Sequence, residues 1–503
     1  MQYAVSAQEM KQYDQYTISK IGISALVLME RAAKETVLAL LEQQKVTGKK
    51  VLVLSGMGNN GGDGLAVGRM LAALGARVTF LLVGNREKAS EETKAQIRIL
   101  ENSGFSMQSN LEGEEYDIVI DALFGIGLSR DLEGVYGGWV QAVNRMRRNG
   151  AYVCSVDIPS GICADTGKVM GHAVQADLTV AFAFAKKGEL LYPGRKYCGR
   201  LEIRDIGIWM QAAKEHKPGA FFYEEKDLPG LIPEREPDGN KGTFGKVLLI
   251  AGSRDMCGAC ILAGSSILRT GAGMVKIIAP ECNREIIQRT LPEAMLYSYS
   301  GMPKEAEVKK ALDWADSVVI GPGLGMGDAV RFLLQSVLAY GQIPMVLDAD
   351  ALNMAGRSPE LAGLLKKAGK RAVLTPHPGE LLRLLGADKE RYFLERMELI
   401  EEGLQKFGCV IAAKDAATVV AGLDEDGIFI NTSGNDGMAT AGSGDVLAGI
   451  IGALLARHMS CFEAACAGVY LHGKAGEAAA ARYGRNGMTA GNLVCALCDV
   501  LRQ

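Results

Sequence analysis

Apolar residues along this chain fall into short continuous runs, separated by longer stretches in which they recur at helical spacing. Residues 6–44 form an amphipathic start, and apolar runs at 50–55, 77–83, 117–122, 151–157, 178–182 and 201–204 predict strands. Strands that are apolar throughout and alternate with helical stretches predict a mostly parallel sheet covered on both faces, a Rossmann-like α/β/α sandwich. Residues 214–240 are polar and hold Pro218, Pro229, Pro233 and Pro237, which reads as a linker with a domain boundary near 212–225. A second alternation follows. Strands are expected at 246–251, 274–279, 317–320, 344–347, 372–374, 409–413, 418–421 and 428–430, the last two as a hairpin turning at 423–427. Two Ala-rich helices, 444–457 and 461–483, come after them. The expected class is therefore α/β in two domains, 1–213 and 225–503, and the lack of a short-period repeat excludes a solenoid.

Composition narrows this further. Of 503 residues, 48% are apolar and 22% charged, the net charge is -3, and no Lys/Arg block occurs, so the electrostatic footprint of a nucleic-acid binder is missing. No apolar stretch approaches the ~18–20 residues of a membrane span. The opening Met1-Gln2-Tyr3-Ala4-Val5 lacks a basic region followed by an apolar core, so a cytoplasmic protein is expected. The eleven scattered cysteines read as reduced thiols. Cys257/Cys260 and Cys495/Cys498 lie in helix-like, Ala- and Leu-rich stretches rather than zinc knuckles, and read as small buried residues.

The 62 glycines cluster beside apolar runs. After the strand 50–55 comes Gly56-Met57-Gly58-Asn59-Asn60-Gly61-Gly62-Asp63-Gly64, read as a turn running into a helix at 65–74. Strand, glycine turn and helix make a phosphate cradle. Gly56-x-Gly58-x-x-Gly61 also matches the dinucleotide fingerprint, but the next strand ends Leu82-Val83-Gly84-Asn85-Arg86 without the acid that would hold a ribose. Asp121 and Asp157 stand at the carboxyl ends of two other strands, followed by Gly125-Ile126-Gly127 and Ser160-Gly161. Each acid alone reads as a turn or helix cap, whereas three such sites on neighbouring strands favour a cleft. Asn60, Asp121 and Ser160 offer hard oxygen ligands suited to an alkali or alkaline-earth cation.

Asn59-Asn60-Gly61-Gly62-Asp63-Gly64, Asp121-Ala122-Leu123-Phe124-Gly125 and Asp157-Ile158-Pro159-Ser160-Gly161 together resemble the NAD(P)H-hydrate epimerases over residues 6–208. The resemblance implies a potassium site at Asn60, Asp121 and Ser160. It implies contacts to the hydrate from Asn59, Asn60, Gly61, Gly62 and Asp63, from Gly125, Ile126, Gly127, Leu128, Ser129, Arg130 and Asp131, and from Asp157. Met57 stands where relatives often have proline. The hydrate is a carbinolamine, and its hydroxyl-bearing carbon inverts either by losing and regaining hydroxide or by ring opening. Both routes need an acid/base group, and the strand-end position makes Asp157 the candidate.

The second half has no Gly-x4-Gly-Lys-[Ser/Thr] loop. It has Lys241-Gly242-Thr243-Phe244-Gly245, Gly321-Pro322-Gly323-Leu324-Gly325, Asp348 to Asn353, His377-Pro378-Gly379-Glu380, a hairpin strand through Lys414-Asp415-Ala416-Ala417-Thr418, and Gly442-Ser443-Gly444-Asp445 opening a helix. Consecutive N–H groups at a helix start can hold a phosphoryl group while Asp445 takes a proton from an attacking hydroxyl. A lone Gly-Ser-Gly-Asp reads as a turn with a helix cap. The full set resembles the ribokinase-like fold and, within it, the NAD(P)H-hydrate dehydratases over residues 228–501. The resemblance implies hydrate contacts at Ala259, Gly323, His377 and Asp445, and nucleotide contacts at Lys414, Asp415, Ala416, Ala417, Thr418 and Gly444. Cys257 departs from the usual proline beside Ala259. His377, set between a strand and two prolines, reads as a ligand rather than a core histidine.

Implied partners are NADH-hydrate and NADPH-hydrate, with ADP, or ATP, as phosphoryl donor bridged by magnesium and AMP as product, in a homo-oligomer. The expected function is epimerisation of R and S hydrates coupled to dehydration of the S form. A small-molecule kinase with an added dinucleotide-binding domain is the alternative enzyme, and a dinucleotide sensor the non-enzymatic one.

Overall fold

The computed structural model describes residues 1–111 and 115–502. The chain divides into two compact units, one of Gln2–Phe221 and one of Phe222–Gln503, to which Met1 also belongs.

In the first unit a seven-stranded parallel sheet runs in the order Met107–Gln108, Arg77–Leu82, Lys50–Ser55, Ile118–Ala122, Tyr152–Val156, Leu178–Phe182, Arg200–Arg204. Side chains alternate across it, as the two-residue period of a strand requires. Val51 and Val53 pack with Leu28, Val37, Leu65 and Leu71 of the helices Ala25–Leu41 and Asn59–Ala73. Leu52 and Leu54 face the other way, onto Val140 and Val143 of the helix Gly134–Arg148. Both faces are thus covered, which gives the α/β/α sandwich expected of strands apolar on both sides. The chain builds outward from Lys50–Ser55 in one direction and then resumes on its other side with Ile118–Ala122. That reversal opens a crevice at the carboxyl ends of these two strands.

The helix after the first strand begins at Asn59, not at 65. The Asn-Asn-Gly-Gly-Asp-Gly motif therefore lies in its first two turns. Close packing fixes it there: a Cβ on Gly64 would stand 2.3 Å from the Cβ of Ala122.

The second unit repeats the plan. Its strands run Met295–Tyr299, Met274–Pro280, Lys246–Ile250, Ser317–Ile320, Met345–Leu347, Ala372–Leu374, Val410–Ala413, Val419–Ala421, Ile428–Ile430. The first seven are parallel and the last two antiparallel. The reversal falls between Lys246–Ile250 and Ser317–Ile320. The edge strand Met295–Tyr299 was not expected, because only Tyr299 is buried and no apolar run marks it. Residues 414–418, read as part of a strand, form the turn between Val410–Ala413 and Val419–Ala421. The helix Ser443–Ala456 is buried along almost its whole length, and a Cβ on Gly449 would stand 2.0 Å from Ser266 Oγ of the helix Cys257–Arg269. Residues 214–240, read as a linker, carry a strand at Ala220–Phe222 and a 3-10 turn at Glu225–Gly230. Among the described residues no helix is long and apolar enough to cross a membrane.

Candidate active sites

A cleft of about 540 Å³ opens at the reversal point of the first sheet. Asn59, Asn60, Asp63, Gly125, Ile126, Gly127, Leu128 and Asp157 line it. Gly61 and Gly62 do not. They are buried, and a Cβ on Gly62 would meet Met29 Cε at 2.6 Å. Ser129, Arg130 and Asp131 are exposed beyond the lining residues. Met10, Lys11, Asp14 and Ile18 also line the cleft from the amino-terminal helical stretch.

Asp121 is fully buried. Its Oδ1 accepts from Ser160 Oγ at 2.6 Å, and its Oδ2 accepts from Ser155 Oγ at 2.8 Å and Ser160 N at 2.9 Å. Burial raises its pKa, and the hydrogen bonds from Ser160 and Ser155 oppose the rise. Phe124 N–H donates to Ser160 Oγ at 3.0 Å, and a Cβ on the adjoining Gly125 would stand 3.2 Å from Asn60 Cγ. Asn60 thus shares one corner with Asp121 and Ser160. Both polar atoms of its side chain are buried without a hydrogen-bond partner among the described residues. A buried amide oxygen left unpartnered beside a buried carboxylate and a hydroxyl is a donor set that fits a monovalent cation.

Asp157 ends the strand Tyr152–Val156 with a left-handed φ of 66°. A strained backbone at a strand end is an arrangement that recurs at functional sites. Its Oδ1 accepts from Phe182 N at 3.1 Å and from the ammonium of Lys186, which is completely buried. Lys186 had escaped the sequence reading, although a lysine directly after the apolar run Phe182-Ala183-Phe184-Ala185 is the signal that could have marked it. Asp63 is pushed well above the ordinary carboxylate value by burial and by the charges of Asp157 and Asp14. Burial and Asp157 likewise push Asp14 up to about 7.

In the second unit, a Cβ on Gly323 (φ 59°) would lie 2.9 Å from the Cβ of Ala259, so these two predicted residues touch at the second reversal point. Lys414 Nζ donates to Asp348 Oδ1 at 2.6 Å and lies 4.0 Å from Glu380 Oε2. Burial pulls the Lys414 pKa down, but Asp348 and Glu380 hold it above its ordinary value. The helix Ser443–Ala456 begins after Gly442 in the left-handed conformation (φ 88°). Its third residue, Asp445, is pushed up to about 7 by burial first and by Asp348 next, with Lys414 opposing. A Cβ on Gly444 would stand 3.2 Å from Lys414 Nζ. The structure therefore gathers Lys414, Gly444, Asp445 and Asp348 into one site.

The rest of the 414–418 turn is held by contacts of its own. Asp415 pairs with Arg396 at 3.4 Å and accepts from Tyr392 OH at 3.0 Å, while Ala417 and Thr418 are buried. His377 is the N-cap of the helix Pro378–Leu385, its Nδ1 accepting from Gly379 N at 3.0 Å while Glu380 accepts from His377 N at 2.8 Å. The ring is half-exposed, with Nε2 lying 3.4 Å from Glu380 Oε1. Ser443 Oγ lies 3.2 Å from Nε2 of His472, which burial keeps neutral with a pKa of about 4.

The second unit is an α/β domain of the ribokinase-like kind. A ribokinase-like superfamily protein from Enterococcus faecalis superposes with a TM-score of 0.51 at 28% identity, covering 56% of this chain and 96% of that one. A family described as NAD(P)H-hydrate dehydratase matches residues 247–499, and one described as YjeF-related protein N-terminus matches residues 25–188. The bifunctional NAD(P)H-hydrate repair enzyme of Moorella thermoacetica is 36% identical over 99% of this chain and 97% of its own length. That of Escherichia coli is 34% identical over 98% of this chain and 92% of its own. The chain belongs to the bifunctional NAD(P)H-hydrate repair enzymes, which carry an epimerase and a dehydratase.

Proposed function

We propose that residues 1–213 epimerise the R and S forms of NADH-hydrate and NADPH-hydrate, and that residues 225–503 dehydrate the S form with ADP, releasing AMP and phosphate. The observation that carries the dehydratase half is the meeting of Asp445, Lys414 and Asp348 at the start of a buried helix. Asp445, with a pKa near neutrality, takes the proton of the ring hydroxyl as it attacks the terminal phosphoryl group. The N–H groups of Gly444 and Asp445 face the phosphoryl oxygens, and Lys414 offsets their charge. Phosphate then leaves, driven by the ring nitrogen lone pair, where hydroxide would leave poorly. Magnesium brought in with the nucleotide would neutralise phosphate charge. Ala259, Gly323 and His377 contact the hydrate, and the 414–418 turn contacts the nucleotide.

In the first unit Asn60, Asp121 and Ser160 hold potassium, and Asn59, Asn60, Asp63 and the 125–128 stretch with Asp157 hold the hydrate. Asp157 acts as the acid/base group, its charge held by Lys186. The test is recovery of absorbance at 340 nm from a mixture of both NADPH-hydrate epimers with magnesium, potassium and ADP. Complete recovery supports both activities. Recovery of only the S fraction removes the epimerase, and no recovery with ADP or ATP removes the dehydratase.

A further inference from the structure

One titratable group in the first cleft has no role in the reaction as written. Asp14 stands in the helix Ala7–Gln15, which brings Met10, Lys11 and Asp14 to the cleft wall. A capping box fixes the start of this helix: Ser6 N–H donates to Glu9 Oε2 at 2.6 Å, and Glu9 N–H to Ser6 Oγ at 3.2 Å. Tyr13, beside Asp14, is buried against Phe184 and donates its hydroxyl to His216 O at 2.6 Å. The strand Gln2–Val5 before the helix pairs with Ala185–Lys186, Val5 opposite Lys186, so the helix of Asp14 and the ammonium beside Asp157 are built on one ladder. Directly after Asp14 the helix widens into a π-helical segment, Tyr16–Ile21, a feature that recurs at functional sites.

Asp14 and Asp157 line the same cleft but have opposite surroundings. Oδ1 of Asp157 accepts from Lys186 and from Phe182 N–H. Asp14 has no hydrogen bond and no ion pair among the described residues. With Asp63 and Asp157 nearby and Lys186 already paired with Asp157, a charge on Asp14 meets two like neighbours. One carboxyl group paired with an ammonium and another left unpaired on the same cleft is an arrangement suited to a base and an acid in one site.

We propose that Asp14 is a catalytic residue of the epimerase, the acid that protonates the departing hydroxyl, with Asp157 as the base on the return step. The proton moves from the Asp14 carboxyl to the hydroxyl oxygen. The carbon–oxygen bond breaks, its electron pair leaving on oxygen as water, and the ring nitrogen lone pair closes a carbon–nitrogen double bond. Water adds to the other face of this iminium ion, its oxygen pair forming the new bond, and its proton passes to Asp157. Proton exchange with solvent returns both carboxyls to their starting states. This rests on the epimerase reading of the first unit.

The test is epimerisation of the separated R hydrate by the full chain without nucleotide, followed by chromatography. Asp14→Asn should lower kcat ~100-fold or more with KM unchanged, and Asp14→Glu should recover part of the rate. The wild-type rate should fall as pH rises through about 7, where Asp14 loses its proton in the presence of Lys11, Asp63, Asp157 and Lys186, and the variant should lack this limb. In water labelled with oxygen-18 the inverted product should carry the label. Asp14→Asn at wild-type kcat, a change confined to KM, or an unlabelled product would each overturn the proposal. A wild-type chain that does not epimerise removes the underlying reading, and the proposal falls with it.

Discussion

Lys414 donates a 2.6 Å hydrogen bond to Asp348 Oδ1, and that single contact ties the 414–418 turn to the start of the helix Ala349–Arg357. Asp348 is almost fully buried, so removing the ammonium strands a carboxylate away from water. Lys414→Met should cost about 3–5 kcal/mol. Thermal unfolding should show this as a lowered Tm for the second unit. Lys414 also holds the Asp445 pKa down, so the surviving dehydratase activity should shift to higher pH.

Asp445 must be ionised to accept a proton, and its pKa lies near 7, so the dehydratase rate should climb as pH rises through that value. Asp445→Asn should lose ~1000-fold or more of turnover, while calorimetry finds nucleotide affinity within about threefold of wild type. The stability effect has the opposite direction. Because the folded-state pKa exceeds the ordinary 3.8, the folded chain binds more protons between these values and loses stability as pH rises through them. Asp445→Asn should therefore unfold at a higher temperature than wild type at pH 8, with the gain vanishing near pH 4.

Gly58 and Gly64 belong to one motif and should respond in opposite ways. A Cβ on Gly64 would stand 2.3 Å from Ala122 Cβ, so Gly64→Ala should destabilise the first unit by about 1–3 kcal/mol. A Cβ on Gly58 meets nothing within 4 Å, and its φ of −84° suits any residue. Gly58→Ala should leave the melting temperature unchanged and weaken only hydrate binding, read as a raised KM.

Potassium should stabilise the first unit, by ~2.7 kcal/mol when the ion stands at 100 times its Kd. Replacing potassium by a bulky organic cation should lower the melting temperature and the epimerase rate together. Asn60→Leu removes the unpartnered oxygen and should abolish the potassium dependence of both, leaving the dehydratase as it was.

The sheets were legible because their inner strands are buried on both faces and read as unbroken apolar runs. The strand Met295–Tyr299 escaped because it lies at an edge and is mostly only partly buried. The early helix start at Asn59 escaped because Asn and Gly are poor helix formers, and packing against Ala122 overrides that preference. Asn60, Asp121 and Ser160 were readable as strand-end and loop oxygens. Asp14 was not, and Lys186 carried only the faint mark of a lysine closing an apolar run, since only folding brings an amino-terminal helix and a short strand to Asp157. His377 shows the reverse case: Pro378 and Glu380 after it form the signature of a helix start, and the histidine caps that helix.

The ladder between Lys50–Ser55 and Ile118–Ala122 sets Leu54 opposite Asp121. Neighbouring strand residues point to opposite faces, so a slip of one position would bring Ile120 or Ala122 to the place of Asp121. The carboxylate would then leave the hydroxyls of Ser155 and Ser160, with no residue of the site replaced. The cation corner is thus encoded in strand alignment as much as in residue identity. A change that loosens the alignment, far from the cleft and chemically silent, would erase the site as surely as a change to Asp121 itself.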